Sequence, residues 1–455
     1  MTPSPHRMPG ALFDAVAAGA GGAEALRFLA RAEHSRRLAC AYAVTAAARE
    51  TGGQVAEEAA RAWELLAAAT RADPGATAAV LTHPAAGPTL FGLLTRLTGR
   101  QEQDRQALRA LLGRYTALAA AATVRAGLAA RVEWPVEGAW VALPSLGRAH
   151  FPAARRGGQA VLRVDTSGRA LLSLTGRSPG DPPVPVPASP YRSEGRWHGA
   201  YLLETLAPGT PLLLDVLDQP GFPNAVLRPD GLDADEIHHW VTAAREACEL
   251  LRADHPDLYE ELAAGPRQLV PLTGTGQGTV SGSSAETFGC VAMSRPTTAT
   301  GFAATMTHEM QHNKFSALLH LFDLLEPGPE RFYAPWRPDP RPLLGLFHGA
   351  YAHLGVACFW ARRGETEPDP GLRTEAHVQF ARWRSAAREA TLVTLGSGRL
   401  TPLGRRVADR MLHTLDGLCR LPVPAAARHR AEATARAHHA AWRERNGNPE
   451  RTLSA

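Results

Sequence analysis

Apolar residues recur every three or four positions through most of the first 130 residues, which predicts a series of amphipathic helices. The pattern is clear in Glu24–Arg31, in the alanine-rich stretch 54–72 and again in 101–131. Proline and glycine interrupt it at Pro74-Gly75 and between Pro84 and Pro88. We therefore expect residues 1–130 to form an α-helical N-terminal region.

The pattern changes after residue 130, where short apolar runs separated by turn residues predict a β-rich segment over 131–300. Two runs around Ser167-Gly168 are typical of a hairpin, and a further strand-like run covers 211–217. Residues 233–264 return to helical spacing and predict one long helix within this segment. The glycine run that starts at Gly274 lacks the spacing of a phosphate-binding loop and is interpreted as a turn.

Helical spacing dominates again over 301–455, with a proline-rich interruption at 327–342. A helix is predicted from Met306 to Leu325, because Phe315, Leu318 and Phe322 would share one buried face. A strand-like stretch, 288–294, precedes it. The predicted fold class is therefore α+β and mostly α, with a helical N-terminal region, a β-rich middle segment and a helical C-terminal region.

The overall composition is that of an ordinary globular protein. Hydrophobic residues make up 45%, and the net charge is +5 over 455 residues, which argues against disorder and gives no reason to expect a nucleic-acid partner. Lys314 is the only lysine beside 48 arginines. This bias resembles that of a GC-rich genome, so surface arginines carry no functional weight in this interpretation.

The location predicted from the sequence is cytoplasmic. No apolar run is long enough to predict a membrane span, and the N-terminus lacks the pattern of a secretion signal. The five cysteines are far apart and form no CxxC pair, which favours reduced thiols over disulfides.

The clearest chemical motif is His308-Glu309-Met310-Gln311-His312, an HExxH sequence. Histidines four residues apart on a helix lie on one face and can share a metal ion. Glu309 would then be close enough to act on a water bound to that metal. The motif predicts His308 and His312 as metal ligands and Glu309 as a catalytic residue.

A third ligand is expected from the next predicted helix, which follows Pro342 and contains His348 and His353. The two are five residues apart and point in different directions on a helix, so only one is expected to bind. His348 is the first choice, because it opens the helix, and His353 is the alternate third ligand. The loop before this helix carries Arg337 and Arg341, whose forked guanidinium groups match carboxylates.

Three segments resemble the HExxH-motif peptide-modification family: His308-Glu-Met-Gln-His-Asn-Lys-Phe-Ser-Ala-Leu-Leu, Tyr333-Ala-Pro-Trp-Arg-Pro-Asp-Pro-Arg-Pro-Leu, and His348-Gly-Ala-Tyr-Ala-His-Leu-Gly-Val. Ala32-Glu-His-Ser-Arg-Arg-Leu near the N-terminus is also similar to that family. Members accompany, or are fused to, radical SAM maturases that form cyclophanes in ribosomal peptides. The partners implied are therefore a ribosomal precursor peptide and a radical SAM maturase.

The resemblance implies an iron(II)- and α-ketoglutarate-dependent hydroxylase that acts on the β-carbon of a peptide residue, on a gluzincin-like metalloprotease scaffold. It implies His308, His312 and His348 as the iron ligands. It does not identify the residues that hold α-ketoglutarate, for which Arg337 and Arg341 are candidates only because of their chemistry.

Two other functions fit the same motif. In a zinc metallopeptidase, zinc would activate a water and Glu309 would take its proton. In a non-catalytic partner of a maturase, the motif would be structural and the protein would only hold the precursor peptide. Histidine ligands alone do not separate iron from zinc, since imidazole suits both metals.

Overall fold

The structure is a computed structural model that describes residues 6–99, 104–153, 158–175, 181–187, 189–216, 232–265, 267–274 and 280–447. Most of the predicted glycine turn, residues 275–279, and the last residue of the predicted strand 211–217 lie outside these ranges. The described fold is mixed α and β and mostly helical, as predicted.

The helices, in chain order, are α1 Gly10–Ala17, α2 Gly22–Thr51, α3 Gly53–Ala72, α4 Pro74–Leu81, α5 Ala86–Thr98, α6 Arg105–Arg125, α7 Ala234–Asp254, α8 Pro256–Ala264, α9 Ala299–Leu321, α10 Leu343–Thr366, α11 Pro370–Gly396, α12 Pro402–Arg420 and α13 Ala425–Asn446. The first six confirm the helical prediction for the N-terminal region. The helix expected over 233–264 is two helices, α7 and α8. Pro256 has no backbone N–H to continue the first, and it occupies the first turn of the second.

The strands are β1 Ala130–Val136, β2 Trp140–Leu143, β3 Gly147–His150, β4 Gly158–Val164, β5 Ala170–Thr175, β6 Val184–Val186, β7 Trp197–His198, β8 Tyr201–Ala207, β9 Thr210–Leu214, β10 Gln268–Leu272, β11 Ser281–Gly282, β12 Cys290–Ser294, β13 Arg331–Phe332 and β14 Arg341–Pro342. β4 and β5 pair antiparallel, from Gln159 opposite Thr175 to Val164 opposite Ala170, which confirms the predicted hairpin.

The described strands form four small sheets. β1-β4-β5-β6 and β2-β3-β7 are antiparallel, and β13-β14 is a two-stranded ribbon. The fourth and largest, β11-β12-β10-β9-β8, is mixed, because β10 runs parallel to both β12 and β9. β12 is the strand predicted just before the HExxH helix in the chain.

The chain divides into two compact units, and each is assembled from separate segments. The first unit comprises residues 1–29, 243–266 and 296–455, and therefore contains the whole of α1 and α8 to α13. Its core includes fully buried aromatic residues of α9 and α10, namely Phe302, Phe315, Phe347, Tyr351 and Phe359.

The second unit comprises residues 30–242 and 267–295. Its main core packs α3 to α6 against the strands that follow them, around the buried side chains of Tyr115, Phe151 and Trp197. α6 begins sharply because the Asp104 carboxylate accepts hydrogen bonds from the backbone N–H groups of Gln106 and Ala107.

One helix of the first unit, α10, passes a length and composition test for a membrane span among the described residues. Its qualifying stretch is 72% buried inside the protein, and core helices of soluble proteins pass the same test. The helix is therefore weak evidence for a membrane.

A candidate metal centre on α9 and α10

α9 presents His308 and His312 on one face, as the spacing of the motif predicts. The helix begins earlier than the predicted Met306, since the Thr298 hydroxyl caps it by accepting from the backbone N–H of Gly301. It ends before the predicted Leu325, because the chain turns extended at Phe322. The motif consequently lies in the middle of a regular helix, where its side chains are held firmly.

The Nε2 atoms of His308 and His312 are 3.1 Å apart, and their ring centroids are 4.6 Å apart. Two imidazoles that bind one ion at about 2.1 Å place their nitrogens about 3.0 to 3.4 Å apart for right-angled to tetrahedral geometry. The pair therefore fits a shared metal ion. The same separation also suits an N–H···N hydrogen bond between neutral imidazoles, which a metal would replace.

Burial keeps these imidazoles neutral, the form that binds metals. It lowers the pKa of His308 to about 4 and that of His312 well below its ordinary value. The neighbouring imidazoles lower the pKa of His312 further. The His312 Nδ1 atom is buried and has no hydrogen-bond partner among the described residues. Metal-binding histidines usually donate from this second nitrogen, so His312 departs from the common pattern.

Glu309 lies beside the pair with only 1% of its surface exposed. Its Oε1 atom is 4.0 Å from Nε2 of His308, the nitrogen that faces His312. A carboxylate at this distance is close enough to receive a proton from a water held between the two imidazoles.

His348, the first choice for the third ligand, packs against the pair from α10, with its ring centroid 4.3 Å from that of His312. Its Nε2 atom, however, lies 3.2 Å from the backbone oxygen of His312 and 3.4 Å from the Ser316 hydroxyl. A carbonyl oxygen only accepts, so Nε2 carries the proton and donates. In this orientation only Nδ1 of His348 has a lone pair for a metal.

His353, the alternate third ligand, packs against His308, the other histidine of the pair, with its ring centroid 4.9 Å from that of His308. Its Nδ1 atom donates to the backbone oxygen of Gly349 at 2.8 Å, which leaves Nε2 with its lone pair. This bond is the kind that fixes the tautomer of metal-binding histidines. Burial lowers the pKa of His353 well below its ordinary value.

Two tryptophans enclose the His353 ring. Trp336 stacks on it at 4.4 Å, and Trp383 of α11 packs on it at 4.5 Å. Gly349 makes room for Trp336, because a Cβ atom there would lie less than a normal contact distance from the indole. Trp336 belongs to a loop that the sequence singled out, whereas nothing in the sequence pattern pointed to Trp383.

Among the residues that the structure describes, no group of three or more histidine, cysteine, aspartate or glutamate side chains has the geometry to hold a metal ion. His308 and His312 are brought together, and both candidate third ligands lie beside them without completing a set. The donor chemistry of these imidazoles fits iron or zinc.

The two candidate arginines differ in their surroundings. Arg337 is exposed and pairs with Asp339 at 2.9 Å. Arg341 is partly buried, lies 3.6 Å from Asp339, and its Nε atom has no hydrogen-bond partner among the described residues. Burial is the main reason that the pKa of His348 is lowered to about 4, and the charge of Arg341 contributes to this decrease. Arg341 is therefore the one nearer the cluster.

Tyr333, in the same loop, makes contacts that the sequence did not indicate. Its hydroxyl lies 2.9 Å from Nδ1 of His438, and its ring packs on His439. All three residues line a cavity of about 310 Å³ beside α11 and α13. Adjacent histidines do not share a helix face, and that spacing gave no reason to expect either near the loop.

A scan of the sequence against models of known protein families finds no match, and a search among curated proteins finds none either.

Proposed function

We propose that the protein is an iron(II)- and α-ketoglutarate-dependent hydroxylase that acts on the β-carbon of a residue in a ribosomally synthesised precursor peptide. The observation that carries this proposal is the 3.1 Å separation of the Nε2 atoms of His308 and His312. It is supported by the resemblance of the motif, the following loop and the start of α10 to the peptide-modification family. The order of β12 and α9 along the chain supports a gluzincin-like scaffold.

In this proposal His308 and His312 bind iron(II), and His353 is preferred over His348 as the third ligand. The preference depends on the hydrogen bond from Nδ1 of His353 to Gly349, which leaves Nε2 able to bind a metal. His348 would then stay bonded to the His312 carbonyl oxygen and hold the turn of α9 that carries the ligands.

The bound iron would supply the oxidative chemistry, in which α-ketoglutarate and O₂ give succinate and CO₂ while one oxygen atom enters a C–H bond of the peptide. Arg341 would hold a carboxylate of α-ketoglutarate, and this role is supported by its buried Nε–H, which has no partner among the described residues. Trp336 and Trp383 keep water from the His353 ring. Glu309 orients a ligand or a water and is not required as a base.

The first test needs no peptide. The protein is loaded anaerobically with iron(II) and α-ketoglutarate, and the visible charge-transfer absorption of an iron–α-ketoacid chelate is measured. We expect the absorption in the native protein and in Glu309→Gln, and its loss in His312→Ala. His413→Ala, which changes an exposed histidine of α12, is the control.

Addition of O₂ and a precursor peptide of the same gene cluster then tests the reaction. A mass gain of one oxygen atom, with succinate, is the expected result. A native protein that binds neither iron nor α-ketoglutarate, or pathway activity that survives His308→Ala, would contradict the proposal and favour a non-catalytic peptide-binding role.

The second candidate is a zinc metallopeptidase, which the position of Glu309 favours. Its carboxylate lies 4.0 Å from His308 Nε2, where a general base would be needed. For this function, a zinc-loaded sample should shorten the peptide, and Glu309→Gln should abolish cleavage while zinc stays bound. A hydroxylase should instead retain most of its activity in Glu309→Gln.

The partners and location follow from the same proposal. The substrate would be a ribosomal precursor peptide, and a radical SAM maturase would act on the same peptide. A cytoplasmic location is consistent with the five cysteines, each of which is a free thiol in the structure.

A further inference from the structure

Trp383 of α11 packs on the His353 ring, and a polar contact fixes the orientation of its indole. The Nε1–H of Trp383 donates a hydrogen bond to the side-chain oxygen of Gln379 at 2.9 Å. The other tryptophan that encloses His353, Trp336, is seated against Gly349 instead. The two walls around the imidazole are therefore held by different means, one by close packing and one by a hydrogen bond.

Gln379 belongs to a short chain of hydrogen bonds along α11. Its amide nitrogen donates to the Glu375 carboxylate at 2.8 Å, and Glu375 also accepts from Arg430 of α13 at 2.9 Å. Glu375, Gln379 and Trp383 follow one another at intervals of four residues, which places them on one face of the helix. The chain of hydrogen bonds thus runs from α13 to the indole that packs on His353.

The two neighbours of Gln379 call for a side-chain amide at this position. An indole N–H only donates and an ionised carboxylate only accepts, so the residue between them needs an acceptor on one side and a donor on the other. A glutamine has both, and these two partners admit one orientation of its amide. Gln379 is also half-buried, which increases the cost of losing its hydrogen bonds.

The hydrogen bond to Gln379 selects one orientation of the Trp383 indole. The side-chain torsion that turns an aromatic ring has two broad wells, so contacts with the ring faces alone leave a choice between them. When the Nε1–H is bonded to Gln379, one well is preferred and the surface presented to His353 is fixed. The Arg382 guanidinium lies over the same indole at 4.3 Å, but this contact does not involve the Nε1–H.

We propose that Gln379 is a positioning residue for the metal ligand His353 and that it acts through Trp383. By fixing the indole, it keeps the imidazole aligned with its Nδ1–H on the Gly349 oxygen and its Nε2 lone pair available to a metal. The inference rests on the proposed function in one respect, since it requires His353 to bind the metal. It does not depend on which reaction the metal centre performs.

The test measures zinc affinity by competition with a chromophoric chelator, using the full chain. Gln379→Leu removes both polar atoms of the amide. Gln54→Leu is the matched control, because Gln54 is exposed on α3 and also donates to a glutamate four residues away, Glu58. Trp383→Phe, alone and combined with Gln379→Leu, keeps an aromatic ring but has no N–H to donate.

We expect Gln379→Leu to weaken zinc binding about three- to tenfold, the equivalent of one hydrogen bond. In the Trp383→Phe background the same change should have no further effect, because the hydrogen bond is already absent. Gln54→Leu should bind zinc like the native protein. A native affinity in Gln379→Leu would overturn the proposal. An equal loss with and without the Trp383 N–H would also overturn it, by showing that Gln379 only stabilises α11.

A second readout needs no metal. In protein labelled with ¹⁵N-tryptophan, the indole signal that disappears in Trp383→Phe identifies Trp383 among the nine tryptophans. That signal should shift in Gln379→Leu and keep its position in Gln54→Leu. An unchanged signal in Gln379→Leu would contradict the proposal.

His353→Gln separates this inference from the ligand assignment. If His353→Gln binds zinc as tightly as the native protein, or the native protein binds none, the proposed ligand set is wrong and the inference falls with it. If His353→Gln loses affinity and Gln379→Leu does not, the ligand set stands and only the role of Gln379 is overturned.

Discussion

His353 differs from His348 in which of its two ring nitrogens the protein already engages. Its Nδ1–H is held by Gly349, and its ring is held between Trp336 and Trp383. A ligand whose orientation is fixed before the metal arrives loses little entropy on binding. His348 has the opposite arrangement, since its Nε2 is the nitrogen engaged by the protein.

This difference predicts unequal effects of the two substitutions on metal affinity. We expect His353→Gln to weaken iron(II) or zinc binding by about a hundredfold or more, because even the partners of metal ligands are worth about 10- to 100-fold. His348→Gln should have a smaller effect. Competition with a chromophoric chelator measures both. A larger loss in His348→Gln would restore His348 as the third ligand.

His255 makes stability depend on pH. It is buried and stacks on Phe359 at 4.6 Å, and burial lowers its pKa to about 4. In the unfolded chain its pKa is about 6.5, so the unfolded state binds more protons between these values. The free energy of unfolding should therefore fall as the pH decreases from about 6.5 to about 4.

The expected contribution of His255 to this decrease is up to about 3 kcal/mol. His255→Phe keeps an aromatic ring against Phe359 but cannot be protonated. Urea unfolding at several pH values should show a shallower decrease in the variant than in the native protein. Parallel curves for the two proteins would show that His255 is protonated in the folded state.

At the scale of elements, a buried ion pair joins α9 to α8. The Lys314 ammonium lies 3.0 Å from both carboxylate oxygens of Glu261, and it also donates to the backbone oxygens of Gly19 and Ala20. Glu261 in turn accepts from the backbone N–H of Gly22. The helix that carries the HExxH motif is thus held to α8 and to the connection between α1 and α2.

Removal of one partner should leave an uncompensated buried charge. We expect Lys314→Met to lower the free energy of unfolding by about 3–5 kcal/mol. The double variant Lys314→Met/Glu261→Gln should recover part of this loss, because no charge then remains buried. Chemical denaturation of the double variant and of both single variants provides the measurement, and additive losses would argue against direct coupling of the pair.

Many of the helices and strands could be predicted from the sequence. Periodic apolar positions predicted helical segments within α2, α3 and α6 and a helical N-terminal region as a whole, and the Ser167-Gly168 turn predicted the β4–β5 hairpin. Pro256 indicates the break between α7 and α8, but the apolar periodicity of 233–264 continues across it and predicted a single helix. The start of α9 depended on the Thr298 cap, a local hydrogen bond that apolar spacing does not register.

The candidate site was predictable only where it depends on local spacing. The pairing of His308 with His312 follows from one helical turn, and α10 was expected after Pro342. The contact of Trp383 with His353 and that of His438 with Tyr333 join distant parts of the chain.

At the scale of the whole molecule, the N-terminal residues belong to the compact unit that contains the candidate metal centre. The Tyr351 hydroxyl of α10 donates to the Val16 oxygen at 2.6 Å, and Phe13 packs on Phe322. Asp14 pairs with Arg406 and Arg410 of α12. The first residues of the chain therefore support elements that lie more than three hundred residues later in the sequence.

Deletion of residues 1–21 should destabilise the first unit by about 5 kcal/mol or more, since it removes the buried side chains of Leu12, Phe13 and Val16. Asp14→Asn removes only partly exposed ion pairs and should cost less than about 1 kcal/mol. Thermal unfolding of both proteins distinguishes the two effects. A deletion variant as stable as Asp14→Asn would show that α1 contributes little to the unit.

The burial of Lys314 has a practical consequence for work on the whole protein. It is the only lysine in the chain, and its side chain is 0% exposed. Succinimidyl esters and amine-reactive cross-linkers should therefore find the folded protein almost inert except at the terminal α-amino group. Reactivity at the ε-amino group would appear only when the environment of α9 opens, so a tryptic or intact-mass assay of acylation could report the unfolding of this helix without any engineered label.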